Sequence, residues 1–489
     1  MSASGNFKRI VLTVILTGAC AAAGLCMEPP GPGEIARYQA AGTLAERQVL
    51  MQRLGNNRFQ PALVERKIAR LNSGKDEAQI QPQSFPCATG LPSHGAPKIF
   101  ILLIDFRDNP HTNEPAVFTS KIFGSGEAAE YPYESLNKFY QRSSSGALDI
   151  QGSVLGWYKA RLPRFFYGTG RQSLWGIWGV KALIKEALRH FDPIVDFSQF
   201  DNDGDGVIDY FCVIWTGPNT GWGSLWWGWC DTTKFFFNND PFMVDGKRLG
   251  VFSWQPEQRV RSDNTIFTAQ TLIHETGHAL GLPDYYDYDG TKGPGGGLGG
   301  LDMMDSTQFD HNAFSKWMLD WIEPAVIIDG AHTVALRPAD IYKDCVALMP
   351  GEKPFGLFSE FFMVQYRSFG RGNDFYFPGS GLTIWHVDGR LNSDGTDFLY
   401  DNSYTDHKLL RLMEADGREE IEHGDGRAAT EDFYAPFSGQ EFSPRSVPDS
   451  NDYAGDPTGI AVTNILGDHP GLSNGDSVTA DFSVEALDK

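Results

Sequence analysis

One short segment places two histidines and a glutamate at a spacing that suits a metal ion. Residues 274–284 read HETGHALGLPD, which is the pattern HExxHxxGxxD. Two histidines four residues apart lie on one face of a helix, so His274 and His278 can reach a single zinc ion. Glu275 lies between them, where it can accept a proton from a water activated by the metal without being a ligand.

The residues after this helix supply the third ligand. Gly281 can adopt a positive φ at little cost, and the resulting turn can return Asp284 to the metal. Two neutral imidazoles, one carboxylate and one water make an open four-coordinate site, which is typical of catalytic zinc. The alternative is a surface helix with two incidental histidines. HExxH alone is a weak motif, but the glycine and aspartate at fixed spacing favour the zinc site.

A second segment predicts a calcium site. Residues 201–209 read DNDGDGVID, with carboxylates and a tight turn in the order of a calcium-binding loop. The predicted ligands are Asp201, Asp203, Asp205, the carbonyl of Val207, and Asp209. Cys212 stands where an EF-hand has glutamate, so we expect a calcium loop that leads into a strand. The alternative is a solvated acidic turn, although its four aspartates would repel one another.

Length and charge restrict the class of protein. A chain of 489 residues is long enough for two or three domains. The formal net charge of -21 argues against nucleic acid or an anionic membrane surface as the main partner. Abundant glycine and aromatic residues favour a turn-rich body that contains β-structure.

The N-terminus predicts export. Lys8 and Arg9 precede a short apolar run at 10–16, and small residues follow at 18–23. This order is typical of a signal peptide covering residues 1–23, and the apolar run is too short for a membrane span. No later apolar run is long enough to cross a bilayer, so we expect a secreted protein. Cys20 leaves a lipid-anchored alternative open.

The chain has six cysteines, at positions 20, 26, 87, 212, 230 and 345. Cys212 and Cys230 are close in sequence and could close a loop through a disulfide. Cys87 could pair with one of the last three cysteines, or its thiolate could occupy the open position on the zinc. The sequence does not fix the pairing.

Residues 24–94 precede the first predicted strand and show helical spacing of apolar residues. A polar linker at 79–84 follows these helices. We interpret residues 24–94 as a propeptide that restrains an enzyme; the alternative is a helical cap that stays attached.

The order of elements predicts two further domains. Strands are expected at 99–106, 148–158 and 210–215, and helices at 133–142 and 174–190, before the HExxH helix. This order predicts an α/β peptidase domain at 95–330. Strands and turns dominate residues 331–489, which predicts a separate β domain.

Several stretches together resemble the immune inhibitor A family of secreted, metzincin-like zinc metallopeptidases. The zinc segment is similar to the family's motif over residues 274–287, including aspartate as the third ligand. The other similar stretches are residues 102–106, 144–152, 201–209, 378–388 and 414–417. The resemblance extends from about residue 97 to about residue 472.

The resemblance implies an α/β zincin (metzincin-like) catalytic domain with a C-terminal all-β sandwich domain. It also implies secretion with a signal and a propeptide, zinc-dependent cleavage of proteins or peptides with substrate along an edge strand, and structural calcium. A methionine turn beneath the zinc is implied at residues 299–306, with Met304 preferred to Met303.

Other candidate residues carry open alternatives. The tryptophan-rich run at 222–229 lines a cleft or simply packs in the core. Tyr285 or Tyr286 could stabilise an oxyanion. His386 and Asp388 could be a further ligand pair, or His386 could be a structural strand residue.

Three classes of function therefore compete. They are a secreted zinc endopeptidase with Glu275 as general base, a zinc amidase acting on non-protein amides, and a binding protein with a decayed peptidase body. The intact residues His274, Glu275, His278 and Asp284 favour the first.

Overall fold

The computed structural model describes ten parts of the chain. They are residue 30 and residues 32–73, 90–168, 174–257, 267–288, 297–350, 358–403, 407–423, 427–467 and 477–485. The predicted signal peptide at 1–23 lies outside the described residues, as do Cys20, Cys26 and Cys87. Every helix in the described parts is too short or too polar to cross a membrane.

A six-stranded mixed sheet forms the centre of the N-terminal half. Its strands are β1 (Lys98–Asp105), β2 (Gln151–Lys159), β3 (Val207–Trp215), β4 (Trp229–Asp231), β5 (Met243–Val244) and β6 (Lys247–Pro256). The order is β2-β1-β3-β6-β4, with β5 also paired to β6. β2, β1, β3 and β6 run parallel, whereas β4 is antiparallel to β6 and lies at the edge. The strands predicted at 99–106, 148–158 and 210–215 are confirmed.

β1 is buried on both faces, which explains why its sequence is a continuous apolar run rather than an alternating pattern. Ile99, Ile101 and Leu103 belong to one hydrophobic cluster. The intervening residues Phe100 and Leu102 belong to another cluster, on the opposite side of the strand. Both faces of the sheet are therefore buried, as is usual for parallel strands covered by helices.

Ten helices surround and connect the sheets in the described residues. They are α1 (Pro32–Ala40), α2 (Leu44–Leu54), α3 (Pro61–Ser73), α4 (Pro115–Ile122), α5 (Leu136–Ser143), α6 (Arg164–Gly168), α7 (Leu174–Phe191), α8 (Gln270–Ala279), α9 (Met303–Ser306) and α10 (Ala313–Met318). The helices predicted at 133–142 and 174–190 are confirmed as α5 and α7. The helix that carries HExxH is α8, which contacts β4 and β6.

The C-terminal half contains two further sheets. Their strands are β7 (Ala325–Ile327), β8 (Gly330–Leu336), β9 (Val346–Leu348), β10 (Glu360–Ser368), β11 (Ser380–Asp388), β12 (Leu410–Leu412), β13 (Ile460–Gly467) and β14 (Val478–Val484). One sheet has the order β12-β11-β10-β9-β7 and the other β13-β14-β8. One hydrophobic cluster takes residues from both sheets. The chain is thus mixed α/β, while the metzincin-like fold and the β sandwich stay predictions. The second sheet begins with β7, a few residues before the predicted domain boundary at 330.

The N-terminal helices pack directly on the rest of the molecule. Lys67 of α3 is almost fully buried, and its Nζ donates to the Trp317 carbonyl at 2.6 Å and to Asp320 at 2.8 Å. Residues 90–94 also belong to this packed body, because Leu91 is fully buried and its amide donates to the Ala279 carbonyl at 2.9 Å. The linker predicted at 79–84 lies outside the described residues.

The disulfide considered between Cys212 and Cys230 is wrong. Both cysteines are free and buried. Cys212 on β3 and Cys230 on β4 both pair with Ser253 of β6, one from each side. An intervening strand puts their Cα atoms about 10 Å apart, which is beyond the reach of a disulfide.

A buried arginine connects the C-terminal sheet to the α/β half. Arg367 of β10 is fully buried, and its Nε donates to Asp374 at 2.8 Å. Its Nη1 donates to the Leu301 carbonyl at 2.7 Å, just before α9. The guanidinium therefore holds α9 in place only while a carboxylate balances its charge.

We expect Asp374→Asn to lower the free energy of unfolding by about 3–5 kcal/mol, because it leaves the Arg367 charge buried without compensation. Asp344→Asn is the matched control, since Asp344 pairs with the exposed Arg337 and should change stability far less. Chemical denaturation of both variants measures the difference. Equal effects would contradict this role of Arg367.

Candidate metal centre

Helix α8 and the turn after it form the site. Every residue from Thr271 to Ala279 is buried, so this helix has no solvent face. Gly281 has φ +104°, a conformation that favours glycine, and here the chain turns back. The turn continues to Asp284, which approaches the two histidines of α8 as the sequence predicted.

Three buried ligand atoms converge. Asp284 Oδ1 lies 3.0 Å from His274 Nε2 and 3.4 Å from His278 Nε2. Neither nitrogen, nor Oδ1 of Asp284, has a hydrogen-bond partner among the described residues. Two ligands bound to one tetrahedral zinc lie about 3.3 Å apart, so the observed distances fit this metal. Three unpartnered buried atoms directed at one point are the arrangement that a metal ion satisfies.

Hydrogen bonds to the backbone fix the tautomer of both histidines. His274 Nδ1 lies 2.7 Å from the Met303 carbonyl, and His278 Nδ1 lies 2.9 Å from the Leu282 carbonyl. A carbonyl oxygen only accepts, so both Nδ1 atoms must carry hydrogen. The Nε2 lone pairs therefore face the metal position, and the rings cannot rotate without losing these bonds.

The carboxylate of Asp284 is oriented from two sides. Tyr288 Oη donates to its Oδ2 at 2.5 Å, which leaves Oδ1 facing the histidines. The backbone amide of Asp284 donates to the Asn56 carbonyl at 2.6 Å. Burial opposes ionisation of Asp284, but His278 and His274 outweigh it and hold its pKa below the usual value.

Glu275, the predicted proton acceptor, lies on the same helix as the two histidines. It is fully buried, and both of its carboxylate oxygens lack a hydrogen-bond partner among the described residues. It is not in the group of three convergent ligands. Burial, and then the charge of Asp284, raises the pKa of Glu275 well above its usual value.

The segment predicted as a methionine turn packs against the helix. A Cβ on Gly277 would lie 2.3 Å from Met304 Sδ, so only glycine allows this close approach. Asp302 caps α9 by accepting from the Met304 amide at 2.7 Å. The preferred Met304 is thus the methionine whose sulfur contacts α8 between the two histidines, and Met303 contributes its carbonyl to His274.

The N-terminal segment covers this site through the turn between α2 and α3. Asn56 Nδ2 donates to the Cys230 carbonyl at 2.8 Å, and Asn56 Oδ1 accepts from the Cys230 amide at 3.4 Å. Gln60 Nε2 donates to the His278 carbonyl at 3.0 Å. Asn56 therefore occupies the main-chain groups of Cys230 in the edge strand β4, a contact that was not predicted from the sequence.

The predicted calcium loop does bring its carboxylates together. Asp201, Asp203, Asp205 and Asp209 offer oxygens that lie within 4.8 Å of one another, and Val207 begins β3 directly after the turn. Lys247 Nζ pairs with Asp201 at 2.6 Å. Burial, followed by repulsion from Asp203 and Asp205, raises the pKa of Asp209 to about 7. Calcium at this loop remains a prediction.

The other candidates mostly have structural partners. Tyr285 Oη bonds Ser315 Oγ at 2.6 Å, which engages its hydroxyl away from the Asp284 carboxylate. The tryptophans at 222–229 are buried within a hydrophobic cluster, which favours packing. His386 Nε2 lies 2.8 Å from Glu360 and its ring stacks on Phe362 and Tyr453.

Asp388 was considered as a metal ligand together with His386, but its carboxylate converges with other side chains. The structure groups Asp388 with Glu360 and His407 as convergent side chains. However, Arg390 contacts the carboxylates of both Asp388 and Glu360. A guanidinium among the carboxylates argues against a second metal there.

We expect Tyr288→Phe to weaken zinc binding by about 10–100-fold, because the hydroxyl that orients Asp284 is lost while all three ligands remain. Tyr285→Phe is the matched control, since its hydroxyl bonds Ser315 rather than a ligand. Competition titration against a zinc chelator measures both affinities. Unchanged affinity in Tyr288→Phe would show that the hydroxyl does not orient the ligand.

Comparison with known proteins shows which family the region around the predicted metal centre resembles. Residues 89–313 match the catalytic domain of the immune inhibitor A peptidase M6 family. The match includes the HExxHxxGxxD segment and the predicted calcium loop. It ends before the C-terminal sheets begin.

Two relatives are similar at modest identity. Immune inhibitor A of Bacillus thuringiensis subsp. alesti is 28% identical over 234 residues, which is 40% of this chain and 34% of the relative. The pre-pro-metalloprotease PrtV of Vibrio cholerae serotype O1 is 26% identical over 279 residues, which is 47% of this chain and 30% of that protein. The matched region thus spans about a third of the length of these relatives. Residues 89–313 are thus similar to the catalytic domain of the immune inhibitor A peptidase family.

Proposed function

We propose that the chain is a secreted zinc-dependent endopeptidase. The observation that carries the proposal is the buried set of unpartnered ligand atoms on His274, His278 and Asp284, with Glu275 beside them. The donor set of two imidazoles and one carboxylate suits zinc and leaves a fourth position open for catalysis. The similarity of residues 89–313 to a peptidase family, and to a relative named as a metalloprotease, supports the same class.

The roles of the residues follow from their positions. When bound, zinc would polarise the scissile carbonyl and make a water a stronger nucleophile. Glu275 takes the proton from that water on its carboxylate and delivers it to the leaving amine. Its burial keeps other proton donors away from its oxygens. Tyr288 and the Met303 and Leu282 carbonyls keep the ligands in one orientation throughout.

The substrate would bind by main-chain pairing to β4. This strand lies at the sheet edge and contacts α8. Its Cys230 amide and carbonyl are the groups that Asn56 engages. An extended peptide can use the same two groups, since edge strands bind peptides through backbone hydrogen bonds. Such recognition depends little on side chains and suits cleavage within proteins.

Casein zymography with and without a zinc chelator tests the proposed activity. A cleared band that disappears on chelation and returns with zinc supports the endopeptidase. An absent band would contradict it and leave the amidase and the binding protein, which assays on small non-protein amides separate.

We expect Glu275→Ala to lower peptide hydrolysis by about three or more orders of magnitude with zinc content unchanged, because Glu275 carries protons without binding the metal. Asp284→Ala should instead lose zinc, and Asp284→His should restore part of it. Metal analysis and peptide hydrolysis on the same samples separate the two roles. Full zinc in Asp284→Ala, or turnover in Glu275→Ala, would refute the assignment.

We further propose that the N-terminal segment keeps the enzyme latent, as its upstream position predicted. The contacts of Asn56 with Cys230 support this proposal because they occupy the edge that a substrate would use. Gln60 holds the same segment against α8 through the His278 carbonyl. A block of zinc by Cys87 is a separate idea, and Cys87 lies outside the described residues.

We expect cleavage of the chain between residues 74 and 89, with release of the N-terminal segment, to raise peptidase activity by about tenfold or more. Asn56→Ala should give part of this rise in the uncut chain. Arg37→Ala is the control, because Arg37 pairs with Glu34 on the exposed side of α1. Activity per bound zinc is measured in each form. Equal activity before and after release would remove the latency proposal.

A further inference from the structure

Four carboxylates converge in the C-terminal half, away from both sites described above. Glu414, Asp416, Glu420 and Asp432 each offer an oxygen, and these oxygens lie within 4.8 Å of one another. Glu414 and Asp432 are buried, with 2% and 4% of their surface exposed. The group is formed by residues after β12 and by a second segment about fifteen residues later.

The innermost carboxylate has an oxygen without a partner. Glu414 Oε2 accepts from the Ile421 amide at 3.3 Å, but Glu414 Oε1 is buried and has no hydrogen-bond partner among the described residues. Glu420 Oε2 is buried and lacks a partner in the same way. A buried carboxylate oxygen that accepts no hydrogen bond is costly unless a cation lies against it.

The charge of the group is poorly balanced by the protein. Arg418 Nη1 lies 3.3 Å from Asp416 and 3.6 Å from Glu420, but the Arg418 side chain is 67% exposed and water screens it. The neighbouring Glu422 is different, since Lys408 pairs with it at 2.7 Å. Burial, with repulsion from nearby carboxylates including Asp432, raises the pKa of Glu414 to about 7.

We propose that Glu414, Asp416, Glu420 and Asp432 bind a calcium ion. The group offers oxygen ligands alone, which suit a hard cation rather than zinc. Four carboxylates from two irregular segments also fit the six to eight oxygens that calcium takes, whereas magnesium keeps several waters and uses one or two carboxylates. This site is separate from the loop at 201–209.

The site would connect the C-terminal half to the methionine turn. The Ala428 amide donates to the Gly299 carbonyl at 2.9 Å. A Cβ on Gly299 would lie 2.5 Å from Ile421 Cδ1, so the two segments are in close contact. The Gly300 amide next to it donates to Asp305 of α9 at 2.6 Å. Calcium bound at Glu414 would therefore hold the loop from which α9 begins.

The test uses the full chain with zinc bound and carrying Glu275→Gln, so that any self-cleavage is suppressed. Calcium chloride is titrated by calorimetry, and hydrogen exchange is followed by mass spectrometry. We expect calcium to protect the amides of residues 414–423 and 427–432. Glu414→Gln should abolish this protection and weaken the corresponding binding step by at least about tenfold. Neither measurement depends on peptidase activity. Failure of the calcium proposal is therefore distinct from failure of the proposed function.

Asp203→Asn is the matched control, because it removes one carboxylate from the 201–209 loop and should leave the protection at 414–432 intact. Without calcium, Glu414→Gln should unfold at a temperature no lower than its parent, since it removes a repelling charge. If Glu414→Gln fails to fold, the half-buried Asp416→Asn replaces it. Absence of calcium-dependent protection, its persistence in Glu414→Gln, or equal protection by magnesium would overturn the proposal.

Discussion

The rest of the structure has to hold three lone pairs that are directed at one point inside a buried site. Asp284 Oδ1 lies 3.0 Å from His274 Nε2 and 3.4 Å from His278 Nε2, and none of the three atoms is satisfied by a hydrogen bond among the described residues. Such an arrangement is unfavourable in a protein interior unless a metal completes it. Folding energy from elsewhere must hold these atoms in place, and the large buried sheet beneath α8 supplies it.

The C-terminal half takes part in holding the site. His274 is oriented by the Met303 carbonyl, and Met303 begins α9, whose first turn is capped by Asp302. The residue before this cap is held by Arg367 of β10 through the Leu301 carbonyl. A chain of hydrogen bonds thus leads from a strand of the second sheet to His274, a proposed zinc ligand. The two halves are therefore mechanically connected although the family match covers only the first.

The sequence predicted the parts of the site that lie within a few residues of one another. Helical periodicity and the glycine turn were enough to bring His274, His278 and Asp284 together, and apolar runs were enough for the buried strands. Contacts between distant residues have no such local signal, so the roles of Asn56 and Arg367 were missed. The disulfide considered between Cys212 and Cys230 was wrong for the same reason, because proximity in sequence does not reveal that β6 lies between them.

The open edge of the first sheet provides one physical cause for two proposed features, which are substrate binding and latency. The side of β4 that faces away from β6 presents main-chain groups, and such groups must be paired, solvated or covered. At Cys230 they are paired by Asn56, which offers an amide donor and acceptor much as a peptide bond does. A substrate strand would need the same amide and carbonyl, so under the proposed mode of binding the N-terminal segment and the substrate would exclude each other. Latency then requires no dedicated inhibitory device beyond an asparagine that satisfies the edge beside the metal.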